Sequence, residues 1–189
     1  MSVSGLLDCI FVDWSPTIGD PTLTGWVTVV AYLAASCLSA LVLFHHSGKL
    51  RIFWLGLSII LLLLAVNKQL DLQSALTAAG RCLSKAQGWY ENRRSVQIAF
   101  ILAILVICGV IAAVLLWVMR REILVIWPAL IGIVSLLAFI AIRAAGFQHF
   151  DQFIGFEVGG IRMNAVLELG GIVFIATNAF VLLWMKQKP

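Results

Sequence analysis

Glu168 is the ionisable residue whose position in the sequence most invites chemistry. It lies about one helical turn inside an apolar segment, where an ionisable side chain is costly unless it is paired or neutral. Helical spacing places it on one face with Asn164 and Asn178. We expect Lys68 to be its partner, with Arg162 as the second candidate. The pair either fixes helix register or serves proton transfer or ligand binding; alternatively, the carboxylate extends to the membrane interface.

A second group of ionisable residues lies among phenylalanines that recur every three residues from 147 to 156. His149 and nearby carboxylates are groups that ligate transition metals or act in general acid–base catalysis. The alternative is a plain interfacial loop, because no second histidine follows at ligand spacing. Our candidate catalytic residues are His149 and Glu168, and our candidate metal ligands are Asp71, Asp151 and Glu157.

The segment 70–90 has the pattern of an amphipathic helix. Its apolar face carries Leu72 and Leu83, and its charged face carries Arg81 and Lys85. We expect a helix that lies along the outer membrane interface or covers the bundle as a lid; it either takes part in binding or is a solvated helix without an active role. The candidate ligand-binding residues are Asn67, Lys68, Asp71, Arg93, Arg94, Arg162 and Asn164.

Membrane helices are the elements that must position these residues. Of the 189 residues, 62% are hydrophobic and 12% are charged, whereas a soluble domain has roughly 45–50% and about 25%. This composition excludes an ordinary soluble domain and intrinsic disorder. The length fits one membrane domain, residues 1–189.

Five apolar segments approach the roughly 20 residues that cross about 30 Å of hydrocarbon. Charged residues exclude 70–90 as a sixth span, and Pro128 predicts a kink in the fourth. The predicted fold is all-α, a polytopic membrane helical bundle of five transmembrane helices plus an amphipathic interfacial helix on the outer side. The predicted segments are an outer N-terminal segment, 1–24, and spans at about 26–44, 52–69, 96–119, 123–142 and 164–185.

Polar residues along the first span, at Thr28, Tyr32, Ser36 and Ser39, share one helix face. We expect their hydroxyl groups to form hydrogen bonds with neighbouring helices.

The distribution of charge predicts the orientation of the chain. Basic residues occupy the tight connections 45–51 and 120–122 and the C-terminal tail, whereas every carboxylate except Glu122 falls on the other side. The positive-inside tendency then places the N-terminus outside and the C-terminus in the cytoplasm. Basic residues between the second and third spans oppose this orientation, but that segment is long and also acidic. No run of basic residues is of the nucleic-acid-binding type.

Two of the four cysteines, Cys9 and Cys82, fall on the predicted outer side, where disulfides persist. We predict that they pair and fasten the N-terminal segment to the interfacial helix. Cys37 and Cys108 lie within apolar segments, as small packing residues do. None of the cysteines has the spacing of a structural zinc site.

Short motifs of the chain resemble a family of small bacterial multi-pass inner-membrane proteins. The motifs are NKQLDLQ at 67–73, QGWYE at 87–91 and ELGG at 168–171. The resemblance implies a bacterial inner membrane, and it brings no activity because none is established for that family. The chain has no P-loop, HExxH or GxSxG motif, no matching halves of the inverted-repeat transporter type and no row of charges along a span.

Two functions fit this sequence. The first is a small integral membrane subunit or binding module that presents an outer-face polar pocket to a partner protein or lipid-like ligand. The second is an integral-membrane enzyme that acts on lipid or lipid-linked substrates at the outer leaflet. We expect membrane lipid and other membrane protein subunits as partners, bound lipid rather than a cofactor, and a metal as an open alternative. The two functions differ in whether one cavity is surrounded by Lys68, Asp71, Arg93, His149, Asp151 and Glu168.

Overall fold

The computed structural model describes residues 3–15, 18–88, 93–145, 157–158 and 161–187. Over these residues the chain is all-α apart from two short antiparallel strands, in which Glu157 faces Arg162 in the register. The elements are α1 (Val3–Asp13), α2 (Leu23–His45), α3 (Gly48–Leu70), α4 (Leu72–Ala86), α5 (Arg93–Val118), α6 (Ile123–Ala145), β1 (Glu157–Val158), β2 (Ile161–Arg162) and α7 (Met163–Gln187).

Four helices of the described chain are long and apolar enough to cross a membrane. The molecule is therefore a helical bundle of the membrane type. The predicted fifth span, 96–119, coincides with α5 up to Val118, and the described apolar part of α5 is Gly109–Val118. The four candidate spans are Leu23–His45, Gly48–Leu70, Ile123–Ile140 and Ala165–Met185.

The four candidate spans share one core. α2 packs against α3 and α7, α7 packs against α6, and α5 lies against α6. Among the described residues, the largest fully buried side chains come from all four spans, whereas leucines and valines on their outer faces are exposed, as expected where the surroundings are lipid. These buried side chains include Tyr32, Trp54, Leu61, Ile126, Leu136 and Ile175.

The two ends of the bundle receive names used below. The Glu168 end contains the start of α2, the end of α3 and the start of α7. The Lys49 end contains the start of α3, the end of α5 and the start of α6.

Only some residues of the predicted polar face of the first span form hydrogen bonds with another helix. Ser36 Oγ donates to the Ser58 carbonyl at 2.9 Å, and Ser58 Oγ donates to the Ser36 carbonyl at 3.0 Å, which joins α2 to α3. Thr28 and Ser39 instead donate to carbonyls four residues earlier in α2. For these two residues the prediction of interhelical bonds is wrong, because the hydroxyl finds a backbone acceptor in its own helix.

The face of α7 that carries Glu168 is buried, as its spacing predicts. Gly171, one turn further, lies where α6 and α7 approach each other closely: a Cβ atom built on Gly132 would lie 2.5 Å from the Gly171 carbonyl oxygen. Small residues allow such close backbone approach. Asn178 Nδ2 donates to the Val125 carbonyl of α6 at 3.0 Å, near Pro128, the proline inside α6. These contacts fix the position of α7, and hence of Glu168, against α6.

At the Glu168 end, α1 packs against α4 and the predicted disulfide between Cys9 and Cys82 is present. Ala78, Cys82 and Ser84 of α4 are buried, whereas Leu72 and Leu83 are 44% and 38% exposed. α4 is shorter than the predicted helix 70–90. The disulfide joins it to α1 with the two Cα atoms 6.1 Å apart.

Candidate functional site

Polar side chains from three spans meet inside the Glu168 end. A helical side chain leans toward the N-terminus of its own helix. α2 and α7 begin at this end, so Tyr32 and Glu168 lean toward it, whereas α3 ends here and Lys68 leans back into the bundle. Tyr32 lies nine residues after the start of α2, which is about 14 Å along the axis. Because Lys68 leans in the opposite direction to Tyr32 and Glu168, the polar groups of the three side chains meet at the same depth in the bundle.

Glu168 is the centre of this cluster. Lys68 Nζ donates to Glu168 Oε2 at 2.9 Å, and Tyr32 Oη donates to Oε1 at 2.9 Å. The residues are 9%, 1% and 5% exposed for Lys68, Tyr32 and Glu168. Because each carboxylate oxygen accepts one bond, the arrangement suits an ionised Glu168 beside a protonated lysine. The ion pair predicted between α3 and α7 is present.

Lys68 also faces a second carboxylate, on the segment before α2. Asp20 Oδ2 lies 3.5 Å from Lys68 Nζ, and the Asp20 side chain is 32% exposed. Asp20 Oδ1 accepts from the Thr22 hydroxyl at 2.5 Å. Desolvation alone would raise the pKa of Asp20, but the Thr22 hydrogen bond and the charge of Lys68 outweigh it, so this pKa lies below its ordinary value. The cluster holds one cation between two carboxylates.

The segment that carries Asp20 is fastened to the end of α3. We call residues 14–15 and 18–22 the strap. The last carbonyls of a helix have no partner within the helix, and the strap supplies two: Gly19 N donates to the Gln69 carbonyl at 2.6 Å, and Trp14 Nε1 donates to the Leu70 carbonyl at 3.2 Å. The strap thus covers the end of α3 beside Lys68.

Asp71 forms the corner between α3 and α4. Its φ of 45° lies in the left-handed region, which is uncommon for a residue other than glycine. Its N–H donates to the Asn67 carbonyl at 2.9 Å, and its Oδ2 accepts from Ser74 Oγ at 2.6 Å. A Cβ atom on Gly19 would lie 2.9 Å from the Asp71 Cβ, so a glycine is needed where the strap passes this corner.

A cavity of about 20 Å³ lies beside Glu168. This volume has room for about one water molecule, whereas ligand pockets measure roughly 300–1,000 Å³. Its lining combines polar residues of α2, α3 and α7 with apolar residues of α3 and α6. The lining residues are Tyr32, Leu64, Asn67, Lys68, Asp71, Phe139, Ile140 and Glu168.

The structure brings together four of the predicted site residues, Asn67, Lys68, Asp71 and Glu168, around this cavity. Within the part of the chain that is described, no three His, Cys, Asp or Glu side chains are grouped so as to hold a metal ion. His149 and Asp151 lie outside the described residues. For five further predicted site residues the structure describes the backbone but not the side chain. They are Arg93 and Arg94 at the start of α5, Glu157 in β1, Arg162 in β2 and Asn164 in the first turn of α7.

Sequence reasoning missed two members of the cluster as site residues. Tyr32 carried a signal, since it lies on the polar face of α2, but its spacing does not identify Glu168 as the acceptor. Asp20 carried none, because its approach to Lys68 depends on the path of the strap over the end of α3. The chain matches no protein-family model, no curated protein and no solved structure.

Proposed function

We propose that the protein is a small, non-enzymatic integral membrane subunit or binding module whose Glu168 end binds a partner membrane protein or a lipid-like ligand. The observation that carries this proposal is the closure of the Glu168 cluster. Both carboxylate oxygens accept bonds from the protein's own side chains, and the adjoining cavity has room for about one water molecule. Such a cluster is suited to hold three spans in register.

In this proposal the chain is a five-span protein of a bacterial inner membrane, with α5 as the additional span and α4 along the outer interface. Support comes from exposed tryptophans near both ends of the bundle, since tryptophan favours the membrane–water boundary. Trp26 lies near the start of α2, and Trp117, Trp127 and Trp184 lie toward the Lys49 end. The exposed leucines of α4 would face acyl chains. The basic Lys49 end would face the cytoplasm.

The surface that we assign to the partner is the disulfide-linked pair of α1 and α4. Leu7, Phe11 and Val12 of α1 are exposed although they lie on a helix that packs against α4. The disulfide and the strap hold this pair on the end of the bundle. A rigid, partly apolar surface of this kind matches the surface of another membrane protein or a lipid-like ligand.

Site-specific photocrosslinking in intact membranes tests this assignment. A photoreactive amino acid is placed at Phe11 on α1 and, as the matched control, at Ile59, an exposed residue in the middle of α3. We expect a discrete adduct, a single protein or a single lipid-like species, from Phe11 and only adducts of bulk phospholipid from Ile59. Bulk phospholipid adducts at both positions would contradict a specific binding surface on α1.

An enzyme acting on lipids is the second candidate, and one observation favours it. Lys68, Asp71 and Glu168, three of the residues expected to converge in an enzyme, line the same cavity. Purified protein in vesicles of defined composition, followed by mass spectrometry of the lipids, separates the two functions. Time-dependent conversion of a lipid by the wild type that Glu168→Gln abolishes and Glu122→Gln retains would favour the enzyme. Unchanged lipids would favour the subunit.

A further inference from the structure

The Lys49 end carries exposed cations that two different connections bring together. Lys49 lies in the first turn of α3, and its Nζ donates to the Val118 carbonyl at the end of α5, at 3.2 Å. Arg120 and Arg121 follow Val118 within the turn that leads to α6, and all three cations are exposed. Glu122, which is partly exposed, is the carboxylate of this turn. The cations of these two connections therefore outnumber the carboxylate.

Two helix N-termini add to the positive potential of this end. α3 and α6 both begin here, and the first N–H groups of a helix lack partners within the helix and carry the positive end of its dipole. Ser47, at the N-cap of α3, makes no capping hydrogen bond with its side chain, and neither helix has an acidic residue in its first turn. Glu122 directly precedes α6, so the start of α3 is the more positive of the two. Unpaired N–H groups at a helix N-terminus, with cationic side chains beside them, commonly bind phosphate in proteins.

The surface beside these cations is apolar. Trp117 is exposed near the end of α5, and the guanidinium of Arg120 lies 6.0 Å from the centroid of its ring. Ile52 of α3, three residues after Lys49, is also exposed, as are Val110 and Val114 of α5. An anion bound here would thus lie at the boundary between water and an apolar surface. A lipid with an anionic headgroup and apolar tails can contact both the cations and the apolar side chains, whereas a free anion would contact only the cations.

We propose that the Lys49 end binds the headgroup of an anionic phospholipid. The phosphate lies among Lys49, Arg120 and Arg121 near the starts of α3 and α6, and the acyl chains follow the exposed faces of α3 and α5. Clusters of lysine and arginine beside membrane helices recognise anionic lipids in this way. The site lies at the opposite end from the proposed partner surface and does not depend on it.

Native mass spectrometry of the full chain tests the site. The protein is titrated with phosphatidylglycerol and with phosphatidylcholine of identical acyl chains. We expect preferential binding of phosphatidylglycerol, reduced about fivefold for each cation removed in Lys49→Gln, Arg120→Gln and Arg121→Gln. The matched control removes two cations at the other end, Arg81→Gln and Lys85→Gln, and keeps the preference. Equal binding of both lipids by the wild type, or equal losses in control and test variants, would overturn the proposal.

Two further measurements keep the test decisive. Wild-type protein in rising salt should lose its preference, because exposed charges are screened; a preference that salt leaves unchanged would overturn the proposal even if the variants fail to fold. Inorganic phosphate alone is the second probe. Displacement of the lipid by millimolar phosphate would assign the site to a free anion and overturn a lipid site, whereas retention of the lipid supports it.

Discussion

The two ends of the bundle use the same residue type in opposite ways. At the Glu168 end, Lys68 is buried and its charge is answered within the chain by Glu168 and Asp20. At the Lys49 end, Lys49 is exposed and donates to a backbone carbonyl, which leaves its charge unbalanced. Burial decides the difference, because a desolvated cation requires a carboxylate partner whereas an exposed cation is stabilised by water. The charges of the Glu168 end are thus paired within the chain, whereas the Lys49 end has a positive charge that can attract an anion.

Breaking the buried pair should give the largest effect. Lys68→Met leaves the Glu168 carboxylate buried without its cation, and we expect a loss of about 3–5 kcal/mol in the free energy of unfolding. Glu168→Leu should cost less than Lys68→Met, since Lys68 keeps Asp20 at 3.5 Å. Denaturant unfolding in detergent, followed by circular dichroism, measures both.

The control for this pair is Lys49→Met at the opposite end, where a change at the surface should stay within about 0.5 kcal/mol. The double variant Lys68→Met with Glu168→Leu should recover much of the loss, because two apolar side chains replace a desolvated pair. If the Lys68 and Lys49 variants lose equal stability, the contrast between the two ends is wrong.

Removing the disulfide should give the next largest effect. Cys9 and Cys82 lie 73 residues apart in the sequence, and their link restricts the unfolded chain, so Cys9→Ser should lower the free energy of unfolding by about 2–4 kcal/mol. Hydrogen exchange at the Gly19 amide should increase as the strap loosens, while exchange at the Lys49 end stays unchanged. Cys37→Ser, at a free and exposed cysteine, is the control. Equal exchange at Gly19 in both variants would show that the strap holds without the disulfide.

Tyr32→Phe should have an intermediate effect. The substitution keeps the ring and removes the hydroxyl that donates to Glu168 Oε1, which leaves that buried oxygen without its donor. A loss of about 1–3 kcal/mol is expected, measured as thermal unfolding in detergent. In a Glu168→Leu background the same substitution should cost almost nothing, because no oxygen is left to satisfy. An undiminished cost there would mean that Tyr32 acts through packing alone.

The sequence predicts the parts of this site that local rules control. The three- and four-residue spacing predicts the face of α7 that carries Glu168. The cost of a charge within an apolar helix predicts a partner for it, for which Lys68 is the first candidate and Arg162 the second. Asp20 depends on the path of the strap across the end of α3, which no periodicity encodes. The placement of α4 against α1 depends on the disulfide between Cys9 and Cys82, which joins residues 73 positions apart in the sequence. The positions of Asp20 and α4 therefore depend on contacts between residues far apart in the sequence, which the spacing of residues along one helix does not specify.

Lowering the pH should weaken the contact of Asp20 with Lys68 at the Glu168 end. Desolvation raises the pKa of Asp20, but the Thr22 hydrogen bond and Lys68 lower it further, so the folded-state pKa lies below the ordinary 3.8. Ionised Asp20 therefore adds stability above about pH 4 that disappears as the pH falls through the lowered value. The contribution is small, because the side chain is about one-third exposed and solvent screens it.

Unfolding curves between pH 5 and pH 3 measure this contribution. Asp20→Asn should lose less stability over that range than the wild type, whereas Asp8→Asn, at an exposed residue of α1, should follow the wild type. If the Asp20 variant and the wild type had identical pH dependence, Asp20 would not stabilise the cluster through its charge. Acid would then weaken the contact between the strap and the buried pair, because protonated Asp20 no longer offers Lys68 Nζ a charged partner at 3.5 Å.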